Sequence, residues 1–455
     1  MDRATTTRSR FRGRALRALA VTGAGALLLA ALPGVASADE GGGGRTWDVR
    51  PGQSIQAAVD AARSGDTIRI APGTYREAVC VVGKGLTIQG AGSERTKIRW
   101  DRGTEPARTP CWEATNAADL EDDDAILADN VSAFFFLNPD KPVTVKDLQT
   151  RDHTANGVAA WGANGFTVTG TKGIGHDRYG ILAANSRHIH IVGNVEEGVD
   201  RARRGQAPDA GTAGISVGDS ANSAALVAGN RVRGYNLGVF LRESSGGRVD
   251  ANHLSGNCVG ILVFDDSGTE IPDRTRNVEG GDWRITANVS TANNRFCLQG
   301  REGDQRISGV GMAVVNASNV QISANVFRDN VPTLPPPPGV VVPPNAPPLT
   351  FPSGGLVMLT FPPPPPPAPQ GIANPGQVTQ VSTVANWFGN NVALRPVFAT
   401  PGGPPTGARL EQMDIYVGDT RDNPFLGQPG PGLEFRHNHC DASYPANICG
   451  QPYPV

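Results

Sequence analysis

A glycine followed by alternating apolar residues recurs along the middle of the chain, and this repeat constrains the fold more than any other feature. The units are GVAAW from Gly157, GILAA from Gly180, GISVG from Gly214, GVFLR from Gly238, GILVF from Gly260, GMAVV from Gly311 and GLVML from Gly355. Successive glycines are 23, 34, 24, 22, 51 and 44 residues apart. This spacing indicates a coil of about 22–24 residues that insertions sometimes lengthen.

A second repeat places an asparagine after a glycine or an alanine, at Asn194, Asn230, Asn252, Asn288, Asn325 and Asn386. Asparagine tolerates unusual backbone angles, and its amide can bond backbone groups of its own coil and of the next one. We therefore predict that these asparagines stack in one column. The alternating segments are too short for helices and no hairpin turns separate them, so they predict an all-β solenoid, a parallel β-helix.

The N-terminal part of the chain predicts a cap for this solenoid. The string SIQAAVDAARSGD has an N-cap residue, Ser54, and apolar residues at helical spacing, so it can cover the open end of the coils. GDTIRIAPGTYREAV and GLTIQGAG follow it, from Gly65 and Gly85. At these residues the sequence closely resembles the secreted right-handed β-helix proteins of the pectin-lyase-like superfamily, whose first coil is typically a capping helix followed by Gly-Asp-Thr-Ile and Gly-x-Tyr.

The coil pattern is also similar to the carbohydrate-binding and sugar-hydrolase repeat of that superfamily. The resemblance covers roughly residues 46–330 and returns near residues 380–455. It implies a right-handed parallel β-helix. It assigns no single activity, because this scaffold carries lyases, hydrolases, epimerases, adhesins and non-enzymes.

The start of the chain has the pattern of an export signal. An arginine-rich segment precedes a short apolar run and the small residues Ala36, Ser37 and Ala38, so we predict a signal peptide at residues 1–38 and a secreted, extracellular protein. Removing that segment takes away six arginines and one aspartate and leaves 35 basic and 42 acidic side chains, a formal charge of −7. An acidic exported chain without a second long apolar run predicts no nucleic-acid partner and no membrane span. We expect a monomer.

Six cysteines remain in the mature chain, an even number that favours three disulfides outside the cell. Fifteen connectivities are possible, and the register of the coils selects among them. Two cysteines lie in the first coils, two occupy turns on consecutive coils, and two close a short loop at the C-terminal end. The predicted pairs are Cys80–Cys111, Cys258–Cys297 and Cys440–Cys449.

Proline-rich strings interrupt the repeat at about residues 332–376. Proline at this density favours polyproline II, a stiff conformation without a core of its own. GGLVMLTF, from Gly354, lies between the two proline tracts and still matches the strand pattern. We therefore predict one β-helix domain at residues 39–455 with a proline-rich insertion and a disulfide-closed C-terminal end, rather than two domains joined by a linker.

The first candidate site is GHDRYGI, which begins at position 175 and contains His176, Asp177, Arg178 and Tyr179. Counting back one coil of 23 residues places His153 beneath His176. A histidine pair with nearby carboxylates can transfer protons or hold a metal. The favoured alternative is a polar external turn. In both interpretations the two histidine side chains are expected outside the coil.

The second candidate site lies five residues beyond each strand glycine, at Asn185, Asp219, Glu243, Asp265 and Asn316. Carboxylates one or two coils apart have separations in the range that glycosidases use. The next position carries Ser186, Ser220 and Ser244, so a turn repeated for its side-chain hydrogen bonds is favoured, because it explains every member of the column whereas catalysis would explain only two or three. Arg242 beside Glu243, and Asp266 beside Asp265, keep the catalytic interpretation open.

Two further features concern ligands. The acidic string DLEDDD, Asp119 to Asp124, has the composition of a calcium-binding loop, although a solvated acidic loop is the favoured alternative; no other cofactor is indicated.

Alternation also sends an apolar column out of the glycine-led strands, at Ala159, Leu182, Ser216, Phe240, Leu262, Ala313 and Val357. Such a column is normally covered. The proline-rich segment is the preferred cover, and a glycan stacking on Phe240 and Trp161 is the alternative.

These patterns lead to two functional hypotheses. The first is a secreted protein that binds or processes extracellular polysaccharide. Its enzymatic form is a lyase, hydrolase or epimerase with His153 or His176 as base and Arg178 holding a carboxylate. The second is a non-catalytic structural or interaction protein of the cell exterior, with the proline-rich segment as its contact element.

Overall fold

The computed structural model describes residues 44–121, 130–266, 278–299, 305–344, 346–361, 376–398, 405–423 and 426–450. The predicted signal peptide and the second proline tract, at 362–375, lie outside these residues. The chain winds through three parallel sheets in the order A, B, C, and each repeat unit contributes one coil. Residues 38–455 form one compact unit.

Sheet C contains the glycine-led strands. Its members are Val79–Val82, Phe134–Leu137, Val158–Trp161, Tyr179–Ala184, Ala213–Ser220, the first part of Leu237–Asp250, Val259–Phe264, Val310–Val315, Gly354–Leu359, Ile415–Val417 and Ser443–Tyr444. Sheet A contains Thr46–Val49, Thr67–Ile70, Thr87–Gln89, Val143–Lys146, Asn164–Thr169, Arg187–Val192, Ala225–Ala228, the last part of Leu237–Asp250, Gly281–Thr286, Gln321–Ser323, Ser382–Val384 and Glu434–Arg436.

Sheet B contains Gly73–Tyr75, Thr96–Arg99, Gln149–Arg151, Lys172–Ile174, Val195–Glu197, Arg231–Arg233, His253–Ser255, Val289–Thr291, Val326–Arg328 and Trp387–Gly389. Two antiparallel hairpins extend from the coils, formed by Cys297–Gln299 with Gln305–Ile307 and by Val392–Phe398 with Pro405–Gln412. The described residues also include helix α1 (Ile55–Ala61), helix α2 (Pro110–Glu121) and a 3-10 turn at Ile448–Gly450.

The predicted register of sheet C is confirmed. The first inward residue of each unit pairs with that of the next, in the order Val158, Ile181, Ile215, Val239, Ile261, Met312 and Leu356. The strand glycines are required by close packing between coils. A Cβ added at Gly238 or Gly260 would lie 2.4 or 2.5 Å from the glycine carbonyl of the next coil, closer than a real Cβ approaches an oxygen. The same coils bury an apolar core that runs along the solenoid.

The predicted asparagine column is also confirmed, at the corner between sheets A and B. Each buried amide oxygen accepts from the backbone N–H and the Nδ2 of the preceding asparagine, as Asn230 Oδ1 does from Asn194 at 2.9 and 3.0 Å. A second column lies at the corner between sheets B and C: Asn257, Asn293, Asn330 and Asn391. The sequence analysis did not identify this second column.

The ends of the solenoid follow the prediction. Ser54 caps α1 by accepting from the backbone N–H of Ala57, and Ile55 and Val59 are buried against the first coils. All three predicted disulfides are present, with Cα–Cα distances of 5.6, 6.1 and 5.9 Å for the pairs beginning at Cys80, Cys258 and Cys440. Helix α2 was not predicted. It packs beside the first coils and is joined to them by the first disulfide.

Candidate functional site

The histidine pair of the first candidate site is buried, so the prediction that both side chains lie outside the coil is wrong. His153 and His176 do stack on adjacent coils, with ring centroids 5.6 Å apart, but they are 0% and 1% exposed. His153 Nε2 donates to the carbonyl of Glu77 at 3.1 Å. His176 Nε2 shares a hydrogen bond of 3.0 Å with Thr150 Oγ1, which lies in register with the core residue Ile98. Neither imidazole can contact a substrate on the surface.

Two more titratable side chains lie in this part of the interior. Glu196 is 1% exposed on the inward position of sheet B, and Tyr235 is fully buried. Burial raises the pKa of Glu196 well above its usual value, and the nearby Glu197 raises it further. Burial lowers the pKa of His153 to about 4, and burial together with the charge of His153 lowers the pKa of His176 well below its usual value. The two histidines are therefore electrically neutral near pH 7, and burial favours the protonated, neutral form of Glu196.

Asp177 belongs to an ion-pair network outside the coil. Its carboxylate lies 2.5 Å from Arg102 Nη2 and 3.3 Å from Arg201 Nε, and Arg201 Nη2 also lies 3.0 Å from Asp152. These contacts join turns that are far apart in sequence. The geometry therefore gives Asp177 a structural role, although the predicted role as a catalytic carboxylate has not been tested.

The second candidate column is a repeated turn. Asn185, Asp219, Glu243 and Asn316 share a left-handed backbone, with φ of 45–56°. The serine after each of the first two is buried: Ser186 Oγ donates to the carbonyl two residues earlier at 2.7 Å, and Ser220 Oγ does so at 2.6 Å. Ser220 Oγ also accepts from the backbone N–H of Ser186 on the preceding coil. These bonds support the structural interpretation for the turn backbone.

The side chains around this turn form an ionic cluster on the outer face of sheet C. Arg242 Nε and Nη2 donate to the carboxylate of Asp266 at 3.0 and 2.9 Å, and Nη2 lies 3.1 Å from Glu243 Oε1. Glu243 and Asp265 are buried, at 0% and 4% exposure, whereas the Arg242 side chain is 30% exposed. Arg242 and Asp266, whose side chains are 30% and 23% exposed, are thus the members of this cluster that reach the surface.

Tyr179 connects the two candidate sites. It is half-buried and packs on the apolar outer face of sheet C, while Arg178 Nη1 donates to the carbonyl of Thr115 in α2 at 3.1 Å. Burial raises the pKa of Tyr179; the nearby Arg242 and Arg178 act to lower it, and Asp219 acts to raise it. The phenol is therefore protonated at neutral pH, with two guanidinium groups and one carboxylate nearby. We name Arg178, Tyr179, Asp219 and Arg242 the polar patch.

The apolar column beside the polar patch is covered by the chain itself. Phe240 and Leu262 are each 8% exposed, and they share a cluster with Phe351 from the insertion that precedes Gly354–Leu359. The hairpin residues Ile307 and Ala393, and Leu426, join the same cluster, while Cys111 of α2 packs on Ala159 and Leu182. The predicted cover by the proline-rich insertion is therefore confirmed for Phe351. Residues 362–369, which were also expected to contribute, lie outside the described residues.

Phe240 does not stack on a glycan, as the alternative required, because it is buried and stacks on Phe264 with ring centroids 6.4 Å apart. Trp161 is 37% exposed and stays open. It occupies the same outward row as Arg242, and the positions between them carry Ala184 and Gly218. The polar patch is therefore flanked by an exposed aromatic ring three coils away, about 14 Å along the solenoid.

The connections from sheet B to sheet C border this face. The described parts of five long connections leave the solenoid along that edge, at residues 100–133, 198–212, 292–309, 329–353 and 390–414. The outer face of sheet C thus has a side wall, whereas the coils that carry Tyr179 and Arg242 have short turns at their opposite edge.

The calcium hypothesis has no support in the described residues. Asp119 and the next two residues end α2, no side-chain placement is described for them, and residues 122–124 lie outside the described chain. Across the described ranges, no group of three histidine, cysteine or carboxylate side chains is placed to hold a metal ion. No helix in the same ranges is long and apolar enough to cross a membrane.

Residues 156–347 match the family model described as a right handed beta helix region. Together with the three parallel sheets, this match makes the fold a right-handed parallel β-helix, as predicted from the sequence. No curated protein matches the chain.

Solved structures similar to this chain include a variant of the periplasmic alginate epimerase AlgG, with 15% identity, 72% of this chain and 65% of that chain covered, and a TM-score of 0.40. The A-module of the mannuronan C-5 epimerase AlgE4 of Azotobacter vinelandii has 14% identity, with 74% of this chain and 83% of that chain covered and a TM-score of 0.44. The catalytic domain of a GH87 alpha-1,3-glucanase, in complex with nigerose, has 12% identity, with 92% of this chain and 69% of that chain covered and a TM-score of 0.38. The chain spans slightly less than two thirds of the AlgG chain. Likeness of this degree assigns no chemistry to the protein.

Proposed function

We propose that the protein is secreted and binds and processes extracellular polysaccharide on the outer face of sheet C, at the polar patch. One observation carries the proposal: Tyr179 is a protonated phenol on the outer face of sheet C, and the charges of Arg242, Arg178 and Asp219 act on its pKa. Perturbed titratable groups beside charged partners are typical of functional sites.

The patch suits an acidic glycan. A guanidinium group presents a planar pair of donors that matches a sugar carboxylate, so Arg178 and Arg242 would orient and neutralise a uronate; Arg242 would exchange its ion pair with Asp266 for one with the sugar. Neutralising that carboxylate makes the adjacent carbon acid easier to ionise, as a lyase or an epimerase requires. Tyr179 would donate a proton, and Asp219 would accept one. His153 and His176, the bases first expected, are too deeply buried for either role.

A second function is favoured by the covered column. Phe240 and Leu262 are shielded by segments of the same chain, so the polar patch and the ring of Trp161 are the parts of this row of described residues that are open for contact. This second function is that of a non-catalytic protein, which binds a glycan at its exterior without cleaving it or has a purely structural role. Such a protein would need only this open surface.

Conversion of Tyr179 to phenylalanine separates these functions. A glycan array combined with assays for reducing ends and for unsaturated uronates defines the substrate of the wild type. In the enzyme, Tyr179→Phe is expected to lower kcat about a hundredfold or more, because a proton donor is lost, while binding changes little. Tyr444→Phe, on another strand of sheet C, is the matched control and should retain full activity.

Binding without turnover in the wild type would favour the non-catalytic alternative. Neither binding nor turnover on plant, algal or bacterial polysaccharides would contradict the proposal as a whole.

A further inference from the structure

A shallow basic depression lies on the outer face of sheet A, apart from the polar patch on sheet C. It has a volume of about 510 Å³, and its charged lining includes His190, Arg248, Arg284 and Asp282. His190, Arg248 and Arg284 are exposed and point outward from three strands of the sheet. The proposed polysaccharide function does not use any of these side chains.

Two glycines line one edge of the depression. Gly246 and Gly247 follow one another where strand Leu237–Asp250 passes from sheet C into sheet A. The ring of Trp283 occupies the space that a side chain at Gly247 would need, 2.3 Å from an added Cβ. Trp283 is itself fully buried, and its indole N–H donates to the carbonyl of Ser244 at 2.8 Å. The floor of the depression is therefore fixed by the core.

The charges in the depression are only partly balanced by the protein. Arg248 pairs in register with Arg284 on the next coil, so two like charges are neighbours on the sheet. Arg248 Nε lies 3.2 Å from Asp250, whereas the exposed side chains of Arg284 and His190 have no hydrogen-bond or ion-pair partner among the described residues. Asp282 is engaged by Asn319, whose Nδ2 donates to it at 2.5 Å. Adjacent like charges on a sheet are unfavourable unless an anion lies between them.

We propose that this basic depression binds an anionic polysaccharide, through carboxylate or sulfate groups held by Arg248 and Arg284. The two guanidinium groups lie on coils about 4.8 Å apart, a spacing close to the length of one sugar residue, so one chain laid along the solenoid axis meets both. Each guanidinium group can hold an anionic group with two parallel hydrogen bonds. The acidic balance of the rest of the protein makes the depression a local exception, which favours a specific anion over general charge attraction.

The depression and the polar patch are connected by one strand. Arg242 and Arg248 lie on opposite sides of the bend in Leu237–Asp250, so a polymer wrapped around this corner would reach both faces. The depression would then hold the polymer while the polar patch acts on it. Binding at the depression does not depend on turnover at the patch, and the two are tested separately.

Affinity electrophoresis in gels that contain polygalacturonate, dextran sulfate or neutral dextran tests this proposal. The double variant Arg248→Gln/Arg284→Gln is expected to lose at least tenfold in affinity for one or both anionic polymers; which polymer responds identifies carboxylate or sulfate as the recognised group. The matched control is Arg69→Gln/Arg436→Gln, with the same charge change on the same sheet face at sites that are 59% and 63% exposed. The control should stay within twofold of the wild type.

Three results would overturn the proposal: equal affinity of the double variant and the wild type, equal losses in the double variant and the control, or equal retardation by neutral dextran. Binding of duplex DNA as tightly as the anionic polymers, with the same dependence on Arg248 and Arg284, would also overturn it and indicate a general polyanion site. Turnover at the polar patch is measured separately, by the assays for reducing ends and unsaturated uronates, so a failure of the catalytic proposal leaves this result intact.

Discussion

Replacing Asn288 by alanine is expected to lower the free energy of unfolding by at least about 3 kcal/mol. The amide is fully buried, and its Nδ2 donates to the carbonyl of Val249 at 2.8 Å and to Asn325 Oδ1 at 3.0 Å. Its Oδ1 accepts from the backbone N–H and the Nδ2 of Asn252, both at 2.9 Å. Removing the side chain leaves several buried polar groups unpaired, and each costs about 1–3 kcal/mol.

Urea unfolding followed by circular dichroism measures this loss. Asn164→Ala is the control, because Asn164 is exposed and its side chain makes one hydrogen bond, with His188, so a change within about 0.5 kcal/mol is expected. Equal, small losses in both variants would show that the asparagine column does not hold the coils together.

The second large effect concerns pH. The pKa of His153 is lowered to about 4 in the folded protein, against about 6.5 in the unfolded chain. As the pH falls below 6.5 the unfolded chain takes up the proton first, so stability is lost progressively down to about pH 4 and no further below it. A difference of 2.5 pKa units corresponds to about 3 kcal/mol for His153, and His176 adds a loss in the same direction.

The variant His153→Gln/His176→Gln isolates this contribution, because both proteins keep the same carboxylates. Glu196 acts in the opposite sense: its folded pKa is raised, so it costs stability as the pH rises above its unfolded value, equally in both proteins. Urea midpoints measured from pH 7.5 to pH 4 should therefore fall less steeply in the double variant. His253→Gln, at an exposed site, should follow the wild type. Parallel curves for all three proteins would contradict the assigned burial.

The register of the solenoid could be predicted because every coil must meet the same packing and hydrogen-bonding requirements at the same position. The strand glycines have no space for a Cβ, and each buried asparagine needs a hydrogen-bond partner in the next coil. Glycine and asparagine therefore recur at the same positions from coil to coil. The disulfides followed from that register. Long insertions changed the intervals between Gly260, Gly311 and Gly355 without disturbing it, because they leave the solenoid at the turns.

The direction of the side chains in the turns could not be predicted. Alternation fixes inside and outside only within a strand, and His153 and His176 lie between strands of sheets B and C, where the backbone changes direction. Glu196 is on a strand of sheet B. The alternation of that strand places its side chain inward, so the sequence pattern could have identified it as buried. Helix α2 was missed because its apolar residues lack a clear helical periodicity.

The polar patch was predicted in two separate parts. Arg178 and Tyr179 were assigned to the histidine site, and Asp219 and Arg242 to the turn column. The observed register pairs Tyr179 with Ala213 and Gly218 with Arg242, which places the two parts on three successive coils of one face, at opposite ends of its strands. Counting along the chain identified the residues, but only the assembled sheet showed that they share a surface while the histidines do not.

Hydrogen–deuterium exchange with and without bound polysaccharide tests the central claim most directly. The protein would be measured alone, with polygalacturonate, with alginate and with neutral dextran. We expect an anionic polymer to slow exchange in the peptides that contain residues 178–184, 213–220 and 237–243, and to leave the peptide around His153 unchanged. Protection confined to other faces, or no protection by any of the polymers, would contradict the assignment of the polar patch as the polysaccharide site.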